Sequence, residues 1–225
     1  MPLPGFLGPS TAITPAPGGL AGGAGMAPGS GRLTFVIQPQ QQTNWCWAAV
    51  STSVSHFFTA ASTWTQCLVA NVTLPRTDCC GAGASDPAKC NAYGYLDRAL
   101  TTTGNLQEMV SRSISFAEVQ AEIRLSKPVG SRVGWFGGGG HFMAIVGWLV
   151  ADSGEQYLDI ADPIFLNSQI PYDSYASAYQ SGGDWTHSYL TQAPQVQAAL
   201  RGNRAGLAAA AQNALANVDL SSIGA

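Results

Sequence analysis

The chain has 225 residues, a formal net charge of -3, and charged side chains at only 10% of its positions. That excludes the basic face a nucleic-acid partner needs and the polybasic patch that holds a protein to an anionic membrane. No run approaches the roughly 18 uninterrupted apolar residues of a membrane span, and the length fits one domain with extensions or at most two small ones.

Residues 1–31 are dominated by Gly, Pro, Ala and Ser, with no charged side chain before Arg32. Too few apolar groups are present to offset the entropy of ordering it, so the stretch reads as a flexible leader. It has no basic segment ahead of an apolar core, hence no recognisable secretion signal. Residues 33–37 form a short β-prone run ending at Pro39. There follows QQQTNWCWAAVSTSVSHFF at 40–58, where Thr43 or Asn44 can cap a helix. Trp47, Val50, Val54, Phe57 and Ala61 recur at helical spacing, which predicts a helix to about Ala61 with these residues as its buried stripe.

Residues 67–91 read as a loop-rich insert, 93–103 as a helix closed by Gly104, and Leu106–Val110 as a strand. Ser115 and Glu118 make the S-x-x-E capping box of a helix ending near Leu125, with Ile114 and Val119 at the hydrophobic-staple positions. A strand-rich half begins over 128–136. The apolar runs 141–150 and 156–160 flank the turn signal Asp152, Ser153 and Gly154, which predicts a β-hairpin. Residues 169–191 are expected to hold a short helix around Tyr175 and a strand over 185–190. From Gln192 the chain is rich in Ala and Gln and broken by Gly202 and Gly206, as in peripheral helices or a fraying tail. The expected division is a leader at 1–31, a folded domain at 32–191 and a tail at 192–225.

Cys46 stands between two tryptophans at the start of the first long helix. A thiol there feels the positive end of the backbone dipole and unpaired N–H groups, which favour the thiolate, the form that attacks carbon. A lone Cys in an apolar helix is more often a small core residue. Packing alone, however, explains neither the upstream glutamines nor the stretch GGGGHFMAIVGW far downstream. Of the three histidines, His56 lies about 15 Å along the same helix from Cys46, out of its reach. His187 falls in a strand rich in Tyr and Thr. His141 follows four consecutive glycines, a costly composition that suits backbone approaching a substrate or bending sharply beside a cleft. A hairpin turning near 152–153 places it opposite residues 162–165, so Asp162 can hydrogen-bond to it.

Four cysteines remain if Cys46 stays free: Cys67, Cys79, Cys80 and Cys90, an even set suited to two disulfides. The adjacent pair 79 and 80 would need a strained ring to bond each other. Each should therefore pair with Cys67 or Cys90; the favoured pairing is Cys67 with Cys79 and Cys80 with Cys90, although the sequence leaves the connectivity open. A zinc site is the rival use, but the paired C-x2-4-C ligands of structural zinc are missing. Disulfides imply an oxidising compartment and export to it.

The Gln-x5-Cys spacing with WCWAA, then GHF-x-AIVGW and a downstream ADP, resembles the papain-like cysteine peptidases over roughly residues 33–190. It is similar to their compact bacterial branch, related to plant-pathogen effector peptidases and staphopains. The resemblance implies an α+β papain-like fold, with a helical half carrying the nucleophile packed against an antiparallel sheet or half-barrel carrying His and Asp. It further implies Cys46 as nucleophile, His141 as base and acid, Asp162 as the group that orients the imidazole, and Gln40, six residues before Cys46, as donor to the oxyanion. An Asp stands where papain has Asn, and orients histidine equally well. The implied activity is endopeptidase cleavage of protein or peptide substrates by a monomer, with no cofactor and no metal, open to a proteinaceous inhibitor. Acyl transfer with the same residues is the competing reaction, and a catalytically idle binding module the competing non-enzyme.

Overall fold

The computed structural model describes residues 29–194 together with Arg204 and Ala208. Almost all of the expected leader and tail lies outside the described residues. In chain order the elements are β1 (Gly29–Arg32), α1 (Cys46–Phe58), α2 (Gln66–Thr73), α3 (Leu96–Thr103), β2 (Leu106–Val110) and α4 (Phe116–Arg124). Then come β3 (Val129–Trp135), β4 (Gly140–Val150), β5 (Gln156–Asp162), β6 (Leu166–Pro171), α5 (Tyr172–Ala178) and β7 (Gly183–Thr191). This is an α+β fold. No helix among the described residues is long and apolar enough to cross a membrane. The chain divides into two compact units, one of residues 29–37 with Val110–Ser188, the other of Gln38–Met109 with 189–194.

In the unit built from Gln38–Met109, α1 is buried on every side from Cys46 to Ser55. A helix apolar or small-residue all round belongs in a core, and α2 and α3 pack against it. It ends sooner than the helical spacing predicts: Thr59 is extended at φ -140° and Ala61 is exposed. Its N-cap is Trp45, with no side-chain bond to the first turn, in place of Thr43 or Asn44. Helix α2 occupies the start of the expected loop-rich insert and is capped by Thr65, whose hydroxyl accepts the Leu68 N–H. Gly104, at φ 79°, closes α3 as expected, since the left-handed conformation suits glycine.

The disulfides are Cys67–Cys80 and Cys79–Cys90, which corrects the expected pairing of Cys67 with Cys79 and Cys80 with Cys90. Cys67 and Asn71 are four residues apart on one face of α2. The Asn71 amide oxygen accepts the Cys79 N–H (2.9 Å) while its nitrogen reaches Cys80 Sγ (3.6 Å), presenting Cys80 to Cys67. Cys79 then turns inward to Cys90, and both are fully buried. Bonded in this way, the four sulfurs are no longer the thiolates that zinc requires.

In the other unit the strand order is β7-β3-β4-β5-β6, and β1 also pairs β4. The pairs β1/β4, β3/β4, β4/β5 and β5/β6 are antiparallel. Strand β4 outruns β3, whose pairing stops at Val129↔Ile145, and β1 takes the vacant length at Gly147 to Val150. That strand was expected at 33–37; it lies instead at the last three residues of the expected leader and Arg32. Gly31 shows why the β-poor GSGR pairs: a Cβ there would sit 2.7 Å from Trp148 Nε1, so only glycine lies flat on the indole. Strand β6 was not foreseen; it is polar, largely exposed and ends in proline, as an edge strand tolerates.

Helix α4 carries the complete capping box, with Ile114 and Val119 buried. The Glu118 carboxyl, bonded first to Arg112 and then to Ser115, is held down to about 2. Ser115→Ala, measured by urea unfolding, is expected to lower stability by about 1 kcal/mol, the usual worth of such a cap.

Candidate active site

Cys46 is the first residue of α1, 7% exposed, and the one free thiol of the five cysteines. The first α1 turn closes with the Ala49 N–H on the Trp45 carbonyl (2.9 Å). The N–H groups of Cys46, Trp47 and Ala48 therefore have no acceptor within the helix. The approach to the helix is a turn in which the Trp45 N–H donates to the Gln42 carbonyl (3.1 Å).

The glutamine run is fastened to the helices at both ends. The Gln38 N–H donates to Ser53 Oγ (2.9 Å) on α1. Gln66, at the start of α2 and 1% exposed, accepts the Gln41 N–H on Oε1 (2.9 Å) and donates Nε2 to the Pro39 carbonyl (2.9 Å). Gln40 is half-buried, and its amide nitrogen donates to the carbonyls of Gln42 (3.0 Å) and Thr43 (2.8 Å). Its amide oxygen is buried and has no hydrogen-bond partner among the described residues. Gln41, by contrast, is exposed. Thr43 and Asn44, the expected caps, bond instead to Asn91.

His141 and Asp162 belong to the other unit. The glycine run ahead of His141 is the β3–β4 turn: Gly138 and Gly139 lie at φ 93° and 86°, and the Gly138 N–H donates to the Trp135 carbonyl (2.9 Å). His141, second residue of β4 and 5% exposed, is thereby mounted on a hydrogen-bonded strand. Asp162, last residue of β5, is fully buried, and its Oδ1 lies 2.9 Å from His141 Nε2. The same oxygen accepts the N–H groups of Ile164 (2.7 Å) and Phe165 (3.1 Å), while Oδ2 accepts the Tyr179 hydroxyl (3.0 Å).

Burial pushes the Asp162 carboxyl up, but the His141 hydrogen bond and charge, with the Ile164 and Phe165 N–H groups, outweigh it and hold the carboxyl below its ordinary range. An ionised carboxylate only accepts, so the imidazole proton between the two sits on Nε2. Burial, and then the Asp162 charge, raise the Tyr179 hydroxyl well above its ordinary value, which keeps it a donor. Trp135 stacks on both rings, 6.5 Å from His141 and 6.1 Å from Tyr179 between centroids.

His56 Nε2 pairs with the Trp64 carbonyl (2.9 Å), and His187 Nδ1 with Thr186 Oγ1 (2.9 Å). Sequence reasoning missed four residues: Tyr179, Trp135, Gln66 and Asn91. Tyr179 follows α5, whose spacing from β4 gave no register, and Trp135 ends β3, where a strand pattern does not say which rings its side chain will stack on. Asn91 ended the stretch read as loop and Gln66 stood just before it, where a side chain's partner cannot be inferred from periodicity. Among the described residues one group could offer a metal clustered ligand atoms, Asp78 with Cys79 and Cys90, and both of its cysteines are in a disulfide.

No curated protein compared with the chain matches it. Residues 30–180, more than half of the chain, match the family described as the papain-like cysteine protease AvrRpt2. The chain belongs to this papain-like cysteine protease family, and it is a cysteine peptidase, a hydrolase of protein or peptide substrates.

Proposed function

We propose that the protein is a thiol-dependent endopeptidase working through an acyl-enzyme on Cys46. The Cys46 sulfur attacks the peptide carbonyl and its proton passes to His141 Nδ1. The tetrahedral oxyanion is held by the Cys46 N–H and the Gln40 amide. Collapse breaks the C–N bond, and the imidazolium returns the proton to the leaving amine. Water, deprotonated by His141, then displaces the thiolate and the acid product leaves. Asp162 fixes the Nε2–H tautomer, so that Nδ1 is the nitrogen that exchanges protons.

What carries this reading is the Asp162 carboxylate. A buried charge that accepts four hydrogen bonds, one from histidine, is a costly arrangement for mere packing and the right one for stabilising an imidazolium. The reserved thiol at a helix start and the family membership support it further. Two disulfides support maturation in an oxidising compartment.

The test is cleavage of a peptide library read by mass spectrometry, before and after treatment with a thiol-alkylating epoxide. Shortened products, lost when Cys46 alone is labelled, are expected. Cleavage that persists with Cys46 fully labelled overturns the proposal, and aminated or crosslinked products would make the enzyme an acyltransferase.

A further inference from the structure

We propose that Asn91 is a positioning residue for Cys46, and that the Cys79–Cys90 disulfide is what holds it to that task. The proposal rests on Cys46 being the nucleophile. Helix α1 begins at Cys46 without a side-chain cap, so contacts made by the residues on either side of the thiol are what can fix its first turn. Asn91, 7% exposed, makes such contacts with both ends of its side-chain amide and with its carbonyl, while its own N–H donates to the Asp86 carbonyl (3.0 Å). Its Oδ1 accepts the Asn44 N–H (3.0 Å), its Nδ2 donates to Thr43 Oγ1 (2.9 Å), and its carbonyl accepts the Asn44 side-chain amide (2.7 Å).

The neighbours of Asn91 repeat the pattern. The Trp45 indole N–H donates to the Cys90 carbonyl (2.6 Å) and the Trp47 indole N–H to the Ala92 carbonyl (3.2 Å). The two rings that flank the thiol are thus bonded to the two carbonyls that flank Asn91. Three residues later Gly94 lies so close to the Trp47 indole that a Cβ would overlap it. Segment 90–94 is therefore a cradle for Trp45, Cys46 and Trp47, and it lies wholly within one unit.

A loop cannot hold a helix start unless it is itself held. Cys90 is fully buried and bonded to Cys79, whose N–H is anchored on Asn71 of α2. The line of support runs from α2 through the disulfide to Asn91 and so to the first residue of α1. The enzyme then needs Cys46 reduced and Cys79–Cys90 oxidised at once. A dithiol reductant such as dithiothreitol delivers two electrons and two protons to that bridge, leaving two thiols and closing to its own cyclic disulfide. Activity should decline with the loss of this bridge.

The experiment measures kcat and KM on a peptide substrate, alongside the rate at which iodoacetamide alkylates Cys46, read peptide by peptide by mass spectrometry. Asn91→Ala is expected to lower kcat by about 10- to 100-fold, the scale of a small misplacement of a reacting group, with KM changed less than about threefold. Alkylation of Cys46 should slow in parallel. Because Asn91→Ala could fail to fold, the second arm titrates the Cys67→Ala/Cys80→Ala protein with dithiothreitol. There both rates should fall with the remaining Cys79–Cys90 bridge and recover on reoxidation. Wild-type kcat and alkylation rate in folded Asn91→Ala, or after that bridge is reduced, overturn the proposal. The alkylation arm needs no turnover, so it decides the role of Asn91 even if no peptide is cleaved. Cleavage that ignores both variants sinks this inference and leaves the peptidase reading standing.

Discussion

Cys46→Ala is expected to reduce kcat/KM on peptide substrates by on the order of 10⁵- to 10⁶-fold, the scale seen when a covalent nucleophile is removed from a hydrolase. The proposed first step forms a bond to Cys46 sulfur, and no other free thiol exists in the chain to take its place. Binding should survive, because the change removes one sulfur at a position that is only 7% exposed. The variant should therefore bind substrate peptides without releasing products, which equilibrium dialysis and product analysis separate. Turnover at even one-hundredth of the wild-type rate would mean that another group performs the attack.

Asp162 offers the second large effect, and here two substitutions should part company. Asp162→Ala leaves the His141 Nε2–H, two backbone N–H groups and the Tyr179 hydroxyl without their common acceptor inside a buried site. A loss of about 3–5 kcal/mol in stability is expected, as for other broken buried pairs, with kcat/KM down by roughly 10³- to 10⁴-fold. Asp162→Asn keeps an oxygen for His141, Ile164 and Phe165, and its amide can face the Tyr179 oxygen. It loses only the charge that, in the proposed mechanism, stabilises the imidazolium, so a decrease of about 10- to 100-fold is expected. Equal losses in the two variants would show that orientation contributes nothing beyond charge.

The same carboxylate sets an acid dependence. Its folded pKa lies below the ordinary value near 3.9, so the unfolded chain takes up the proton first as pH falls. The stabilisation is thus fully present above the unfolded pKa and is lost as pH falls through the depressed folded value. Thermal melts of wild type and Asp162→Asn in descending pH should converge in that window.

How far the sequence could be read depended on how local each feature was. The capping box at Ser115, the Gly104 stop and the hairpin around Gly154 each rest on a few adjacent residues, and each is present as expected. The hairpin register carried His141 and Asp162 to the same end of two strands, because a turn fixes distances across a ladder. Cysteine connectivity went wrong because Asn71, a side chain with no motif of its own, orients residues 79 and 80. The strand placed at 33–37 moved to GSGR because contact with Trp148 overrode β-propensity. Asn91 and Tyr179 were invisible for the same reason: their partners lie 47 and 17 residues away, at separations no periodicity encodes.

The Gln40 amide has a consequence for selectivity between ground state and transition state. Both of its hydrogens already rest on neutral backbone carbonyls, those of Gln42 and Thr43. A substrate's own carbonyl is chemically the same kind of acceptor, so trading one for the other gains nothing. A tetrahedral oxygen bearing a full negative charge is a far better acceptor, with bonds roughly twice as strong. In its proposed role, an amide arranged in this way ignores the bound peptide and responds only as charge develops, which is the condition for lowering a barrier rather than tightening a complex.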